Sequence, residues 1–410
     1  MMEKIYAPDY DRGIFRLFPT LLSQSLNISL PAKYRKWVID DPDFSHDCDV
    51  VLIFIIDALG AKQYKGEFLE KLWKQSGKKQ LSSVYPSSTS NALGSIFLGT
   101  PPEENGLVSV RFFVEEIGNF INSLKASVLG KRDNSLPQSG VDPTSFLWKA
   151  PLIDNVADKV TIARLLEKQY EGGLSRFFGR AGETILFGNE IDMFSTGVKA
   201  VREVATKNMK SVLFLYTPLL DTVGHSYGPE SSEWRKGVKF INTEMQRFLN
   251  GLTHVSENTN KKIGLFITAD HGMTKIDHLI ELEREQLRDV RHNQYIKGIM
   301  RSARAAFAHL TGKTHKKAKE KIETTFEGKY RPYRIEEVAE KLWPSLQKVN
   351  AFKNRIGSLA LLPASNTEFR TKKEEGLFSD LGWGRIPFKG SHGGATEEEI
   401  EVPLIYTYVG

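Results

Sequence analysis

Cysteine is nearly missing from this sequence. Cys48 is the only one in 410 residues, so no internal disulfide can form and no disulfide framework holds the fold. Long apolar runs are missing as well. The stretch VVLIFII at 50–56 is far shorter than the roughly 20 residues a helix needs to cross a bilayer. The opening stretch, MMEKIYAPDYDRGIF, lacks a basic segment followed by an apolar run and does not read as a signal peptide. These absences lead us to expect a cytoplasmic protein with no membrane segment. A strong charge excess is absent too. A net charge of +6 with a pI of about 9.0 suits an anionic substrate and a nucleic acid equally, and decides neither. No internal repeat or low-complexity tract is visible, and the oligomeric state is not readable.

The remainder reads as an ordinary globular α/β chain. Its length fits one large domain with an insertion, or two domains. Hydrophobic residues make up 40% and charged residues 26%, as in soluble globular proteins. Continuous apolar runs read as buried parallel strands: VVLIFII (50–56), SVLFLY (211–216) and IGLFIT (263–268), with SLALLPA (358–364) and VPLIYTYV (402–409) weaker. VADKVTIARLLEKQY (156–170) and SSEWRKGVKFINTEMQRFLNGL (231–252) read as amphipathic helices between them. That alternation predicts a mostly parallel central sheet with helices on both faces. Residues 276–385 read differently. A charged run with helical character leads into the lysine-dense KTHKKAKEKIETTFEGKYRPYR. We expect 276–385 to be an inserted, largely helical, basic cap, and 1–275 with 386–410 to form the core.

Three of the strong strands run into ionisable residues. VVLIFII ends at Asp57, SVLFLYTPLL at Asp221 with His225 close behind, and IGLFITA at Asp270 followed by His271. Ligands of open α/β sheets bind at the carboxyl ends of the strands. Carboxylates gathered there repel one another unless a cation lies between them. The chain has only nine histidines, and His392 stands just before the last predicted strand. Three Asp and three His form an oxygen/nitrogen donor set for two metal ions, Zn²⁺ first and Mn²⁺ second. Pro218 and Gly224 favour a loop around Asp221 and His225. Elsewhere, YPSSTSNALGSIFLGT (85–100) sets Ser87, Ser88, Thr89 and Ser90 ahead of an apolar helical stretch. Taken alone, these hydroxyls are either helix caps or a nucleophile awaiting an activator.

Together these segments resemble the type I phosphodiesterase/nucleotide pyrophosphatase family of the alkaline phosphatase superfamily. YPSSTSNALGSIFLGTPPEENGL is similar to its nucleophile segment, with Gly99, Pro102 and Gly106 in step. DTVGHSYGP (221–229), TADHGM (268–273) and SHGG (391–394) resemble its metal-binding segments, in the family's order. The resemblance implies an alkaline-phosphatase-like fold and two zinc sites. One would be held by Asp57, Thr89, Asp270 and His271, the other by Asp221, His225 and His392. It implies Thr89 as the nucleophile and a covalent phosphoryl-threonine intermediate. Two departures stand out. Asn105 replaces a histidine common in relatives. Val110 and Arg111 stand where the nucleotide-cleaving branch has an asparagine that holds a phosphate oxygen. Arg111 is therefore a candidate substrate contact, and Phe112, Phe113 and Trp383 are candidates by type for stacking on a base. The expected substrate is a small anionic phosphate ester or nucleotide. The alternatives are a phosphomonoesterase or phosphonate hydrolase on the same metals and, less favoured, a nucleic-acid binder acting through the five lysines of KTHKKAKEK (313–321).

Overall fold

VVLIFII, SVLFLYT and IGLFIT become adjacent parallel strands, Val50–Ile56, Ser211–Thr217 and Ile263–Thr268, in a computed structural model of the chain. The structure describes residues 5–63, 67–282, 295–312, 315–364, 366–371 and 388–410. Every residue of these three strands is buried. A strand covered on both faces has no solvent side and must be apolar throughout. Phe54 meets Phe194 of the helix Glu190–Ala205 at 5.7 Å between ring centroids. Phe214 packs instead with Phe18 and with Phe97 of the helix Thr89–Leu98, at 5.0 and 4.3 Å. Helices thus lie on both faces.

The whole sheet has six strands, in the order Ile405–Val409, Ile263–Thr268, Val50–Ile56, Ser211–Thr217, Thr161–Glu167, Glu183–Phe187. All neighbours are parallel except the edge strand Ile405–Val409, which runs antiparallel to Ile263–Thr268. The expected α/β class with a mostly parallel sheet is what the chain forms. The helix expected from 231 spans Ser232–Thr259. Ser231 starts it by accepting the Trp234 N–H at 3.1 Å. Asn260, left-handed at φ 52°, ends it.

Three expectations need correction. VADKVTIARLLEKQY is mainly strand, Thr161–Glu167. Its Arg164 is almost fully buried and donates to the carbonyls of Gly179 and Gly182 at 3.3 and 3.5 Å. An arginine inside a strand broke the apolar run and imitated the polar face of a helix. SLALLPA lies outside the central sheet. As Leu359–Pro363 it belongs to a four-stranded antiparallel sheet with Ile296–Ser302, Ala305–Leu310 and Tyr330–Arg334. Among its described residues, the segment 276–385 is accordingly not largely helical. It combines this sheet with a parallel pair, His278–Leu282 and Thr367–Thr371, and the helices His315–Thr325, Ile335–Leu342 and Val349–Ile356.

Period-two burial explains the inserted sheet. Ala305 and Phe307 join a cluster with Tyr85, Phe112, Trp343 and Phe352. Ala306 and Ala308 face the other way, against Ile322, Phe326 and Tyr330. High helix propensity in RSARAAFAHL yields to burial on both sides. The lysine-rich helix His315–Thr325 buries Ala318 and Ile322 on that sheet, with Lys316, Lys317 and Lys321 exposed. Trp383 and the expected boundary at 385/386 lie outside the described residues, as do positions 283–294 and 313–314.

Candidate active site

The parallel register puts the ionisable residues side by side. Ile55 pairs with Thr268, so Asp57 and Asp270 stand two residues beyond the last matched pair. Ile56 pairs with Thr217, and the Asp57 N–H donates to the Thr217 carbonyl at 3.0 Å. After that strand the chain turns at Pro218 into the helix Leu219–Tyr227. Asp221 and His225 are therefore on a helix, not in the expected loop. Their spacing of four residues still sets both on one helix face, with Asp221 Oδ1 3.3 Å from His225 Nε2. Gly272 permits the tight turn after Asp270, since a Cβ there would lie 1.9 Å from the Glu398 carbonyl oxygen.

The helix Thr89–Leu98 enters from the opposite side. Gly99, at φ 67°, closes it in the left-handed conformation. Ser88 occupies its N-cap position, but no side chain caps the first-turn N–H groups. The Ser88 hydroxyl donates instead to Asn91 Oδ1 at 2.8 Å. Ser90 meets Ser123 at 2.5 Å, and Ser87 donates to the Gly394 carbonyl at 2.8 Å. Among these four hydroxyls, Thr89 faces the carboxylates: its Oγ1 lies 3.2 Å from His271 Nε2.

Two groups of donor atoms result. Around His271 Nε2 stand Asp57 Oδ1 at 3.4 Å, Asp270 Oδ2 at 3.3 Å and Thr89 Oγ1 at 3.2 Å. Around Asp221 Oδ1 stand His225 Nε2 at 3.3 Å and His392 Nε2 at 3.5 Å. His271 also joins Asp221 and His392 in a cluster of donor atoms within 4.8 Å of one another, and the His271 and His392 rings stack at 3.8 Å. All seven metal-site residues expected from sequence are therefore brought together.

The donor set fits small divalent ions, on two independent grounds. First, the histidine tautomers are set. Nδ1 of His225, His271 and His392 lies 2.9–3.0 Å from the carbonyl oxygens of Gly390, Gly272 and Ser87. A carbonyl only accepts, so each Nδ1 carries a hydrogen, and in the neutral ring this leaves Nε2 as the lone-pair donor. These lone pairs face carboxylate oxygens, an arrangement that repels unless a cation lies between. Asp57 Oδ1, Asp221 Oδ1 and Asp270 Oδ2 are buried with no hydrogen-bond partner. Second, donors about 2.0–2.1 Å from a tetrahedral ion lie about 3.3–3.4 Å from each other. The separations of 3.2–3.5 Å agree.

Electrostatics point the same way. Burial, with Asp270 and Asp221 nearby, pushes the Asp57 carboxyl well above the ordinary carboxylate range. Burial raises Asp270 too, partly opposed by His271. His392 is held well below the usual imidazole value by burial and by the other two histidines. Neutral His392 is the ligating form. Asp57, Asp270 and His271 are sealed, whereas Thr89 is half-buried and the Asp221 and His225 side chains keep 17% and 16% exposure, which gives the site an open side.

Arg111, the expected substrate contact, is half-buried on the strand Arg111–Val114, opposite Asn122. Phe112 is buried beneath Arg355 and so closed to a base, and Phe113 packs edge-on against Phe120. Asn105 staples its own turn, donating to the Thr100 carbonyl and accepting the Leu107 N–H, both at 2.7 Å. Sequence reasoning missed Tyr216, whose hydroxyl donates to Asp57 Oδ2. A hydroxyl-bearing ring near the end of an apolar strand, five residues before Asp221, was the available signal. It also missed Glu399, which accepts the Gly394 N–H at 2.8 Å beside the His392 loop.

Comparison with known proteins agrees with this geometry. The model of the type I phosphodiesterase / nucleotide pyrophosphatase family matches residues 51–395. The chain is 25% identical over 207 residues to an uncharacterised pyrophosphatase/phosphodiesterase of Schizosaccharomyces pombe, covering 48% of this chain and 39% of that protein. It is 29% identical over 110 residues to ectonucleotide pyrophosphatase/phosphodiesterase family member 7 of Rattus norvegicus, covering 26% of this chain and 24% of that one. The chain thus spans well under half the length of these curated relatives. Murine ectonucleotide pyrophosphatase/phosphodiesterase 5 superposes with a TM-score of 0.61 at 16% identity, over 86% of this chain and 87% of that one. Phosphonoacetate hydrolase from Sinorhizobium meliloti 1021 does so at 0.58 and 17%, over 88% and 90%. At these identities the structural likeness establishes the fold.

Proposed function

The chain belongs to the type I phosphodiesterase/nucleotide pyrophosphatase family, and on that footing we propose that it is a two-zinc phosphohydrolase cleaving phosphodiester or nucleotide pyrophosphate bonds with Thr89 as nucleophile. Asp57, Thr89, Asp270 and His271 would hold one ion; Asp221, His225 and His392 would hold the other, with Mn²⁺ the second choice for either. Such ions supply positive charge that lowers the pKa of a coordinated hydroxyl and neutralises phosphate oxygens.

The chain's own groups do the rest. Tyr216 and the backbone N–H groups of Ala58 and His271 hold the carboxylates of Asp57 and Asp270 in place. The uncapped start of the Thr89–Leu98 helix leaves first-turn N–H groups for the non-bridging phosphate oxygens. Thr89 Oγ1 forms a bond to phosphorus as the bond to the leaving oxygen breaks, and the Thr89 proton passes through water to the departing oxygen. Water then cleaves phosphoryl-Thr89, its oxygen bonding to phosphorus and one proton returning to Oγ1.

The observation that carries this reading is the meeting of Thr89 Oγ1, Asp57 Oδ1 and Asp270 Oδ2 within 3.4 Å of His271 Nε2. A structural relative described as inactive carries a threonine-to-alanine substitution and holds AMP, which supports both the nucleophile and the ligand class. The test is hydrolysis of a chromogenic phosphodiester by the zinc-loaded protein. We expect turnover that chelation abolishes and zinc restores. Turnover indifferent to chelation sinks the reading.

A monoesterase or phosphonate hydrolase is the second reading. Val110 brings no side-chain donor to the site, and its N–H is bonded to Ser302 Oγ at 3.2 Å. Comparing kcat/KM for a matched diester, monoester and phosphonate decides between them.

A further inference from the structure

The segment 276–385, expected as a cap on the core, sends one hairpin to the site. The strands Ile296–Ser302 and Ala305–Leu310 are joined by a two-residue turn, Ala303 and Arg304. Ala303 adopts φ 54°, a costly conformation for a residue with a Cβ. Arg304 is fully buried. A strained turn tipped with a buried arginine needs compensating contacts, and these lead to both halves of the donor cluster.

On the nucleophile side, the Val110 N–H donates to Ser302 Oγ at 3.2 Å, and Ser302 Oγ lies 3.1 Å from Ser88 Oγ. Ser88 already donates to Asn91 Oδ1. The hydrogen between the two serines therefore comes from Ser302, giving one directed chain that passes through Ser88, next to Thr89, and ends at Asn91 Oδ1. On the histidine side, the Arg304 N–H donates to the His392 carbonyl at 2.9 Å. Its guanidinium pairs with Glu399 at 2.8 Å and donates from Nε to the Thr367 carbonyl at 3.1 Å. Glu399 in turn accepts the N–H groups of Gly394 and Thr396 at 2.8 and 3.2 Å. Gly393 allows the approach, since a Cβ there would lie 2.6 Å from the Ser302 carbonyl oxygen.

We infer that Ser302 and Arg304 are positioning residues of the reaction: Ser302 sets the turn that presents Thr89, and Arg304, through Glu399, sets the loop that presents His392. The inserted sheet is then part of the floor of the site. The two residues act on different halves, so their loss has different signatures. Removing the Ser302 hydroxyl frees the Ser88 turn while every metal donor stays. Loosening Arg304 disturbs His392, a donor of the more open half.

This inference rests on the two-zinc reading above, and the experiment separates their failures. Zinc affinities by chelator competition, circular dichroism and steady-state kinetics are measured on wild type, S302A, S302T and R304K. For S302A we expect kcat to fall about tenfold with KM and both zinc affinities unchanged, and S302T to recover most of the loss. For R304K, which keeps a positive charge against Glu399, we expect the weaker zinc affinity to fall at least about tenfold and the tighter one to hold within about twofold. Should R304K fail to fold, S302A decides alone. S302A with wild-type kcat, or folded R304K with both affinities intact, overturns the inference while the two-zinc reading stands. A wild type that binds no zinc and cleaves no ester sinks both.

Discussion

The central sheet and the segment inserted before its last strand serve the same candidate site in opposite ways. The sheet delivers candidate donors directly. Asp57, Asp221 and Asp270 each follow a strand buried on both faces, so a short stretch of sequence carries both the strand and its functional end. The inserted sheet contributes none of the donors in the cluster, yet its hairpin tip bonds to Ser88 and His392 on either side. Its junction with the core also has an apolar part: Trp343 is buried, donates from Nε1 to the Tyr85 carbonyl at 2.9 Å and packs on Tyr85 and Phe352. Ligands can be specified locally, whereas the support that aims them is assembled from distant parts of the chain.

The contrast is open to experiment at several strengths. Thr89→Ala removes the proposed nucleophile and should lower turnover by about a thousandfold or more. Zinc content and circular dichroism should stay as in wild type, since Thr89 Oγ1 is one of four donors around its ion. Trp343→Ala should cost about 3–5 kcal/mol by leaving a cavity between sheet and insert. Denaturant unfolding would read this out, and an unchanged midpoint would show the insert to be held by something else.

Asp57→Asn probes the sheet's own cost. A carboxyl whose folded pKa is raised loses stability as pH climbs past its unfolded value of about 3.9 and through the folded one. The metal-free variant should therefore melt about 5 °C above metal-free wild type at pH 8. That gap should close toward pH 4, and the same variant should bind zinc poorly. A metal-free variant that melts lower than wild type at pH 8 would contradict the repulsion. At the small end, replacing Lys316, Lys317, Lys319 and Lys321 with Gln should leave turnover within about twofold and stability within about 1 kcal/mol. A large loss of turnover would tie the lysine face to substrate.

Legibility followed burial. VVLIFII and IGLFIT were readable because strands covered on both sides show no polar face. Thr161–Glu167 was not, because Arg164 is satisfied by loop carbonyls 15 and 18 residues further on. RSARAAFAHL hid its strands because Ala305 to Ala308 alternate between two clusters that join residues far apart in sequence, such as Tyr85 and Phe307. Asp221 and His225 were paired correctly but assigned to a loop. Pro218 stands at the helix start, where proline is tolerated, and Gly224 lies close under Met273.

By itself the sequence determined the parallel core and the order and identity of the candidate metal donors. Each of these depends on residue type and spacing within a few turns of chain. Tertiary structure alone decided which oxygen of each carboxylate stays bare, which nitrogen of each histidine faces it, and that a hairpin near residue 303 lies under both. Those outcomes are hydrogen-bond choices among groups far apart in sequence, and only the folded chain brings the competing partners within reach.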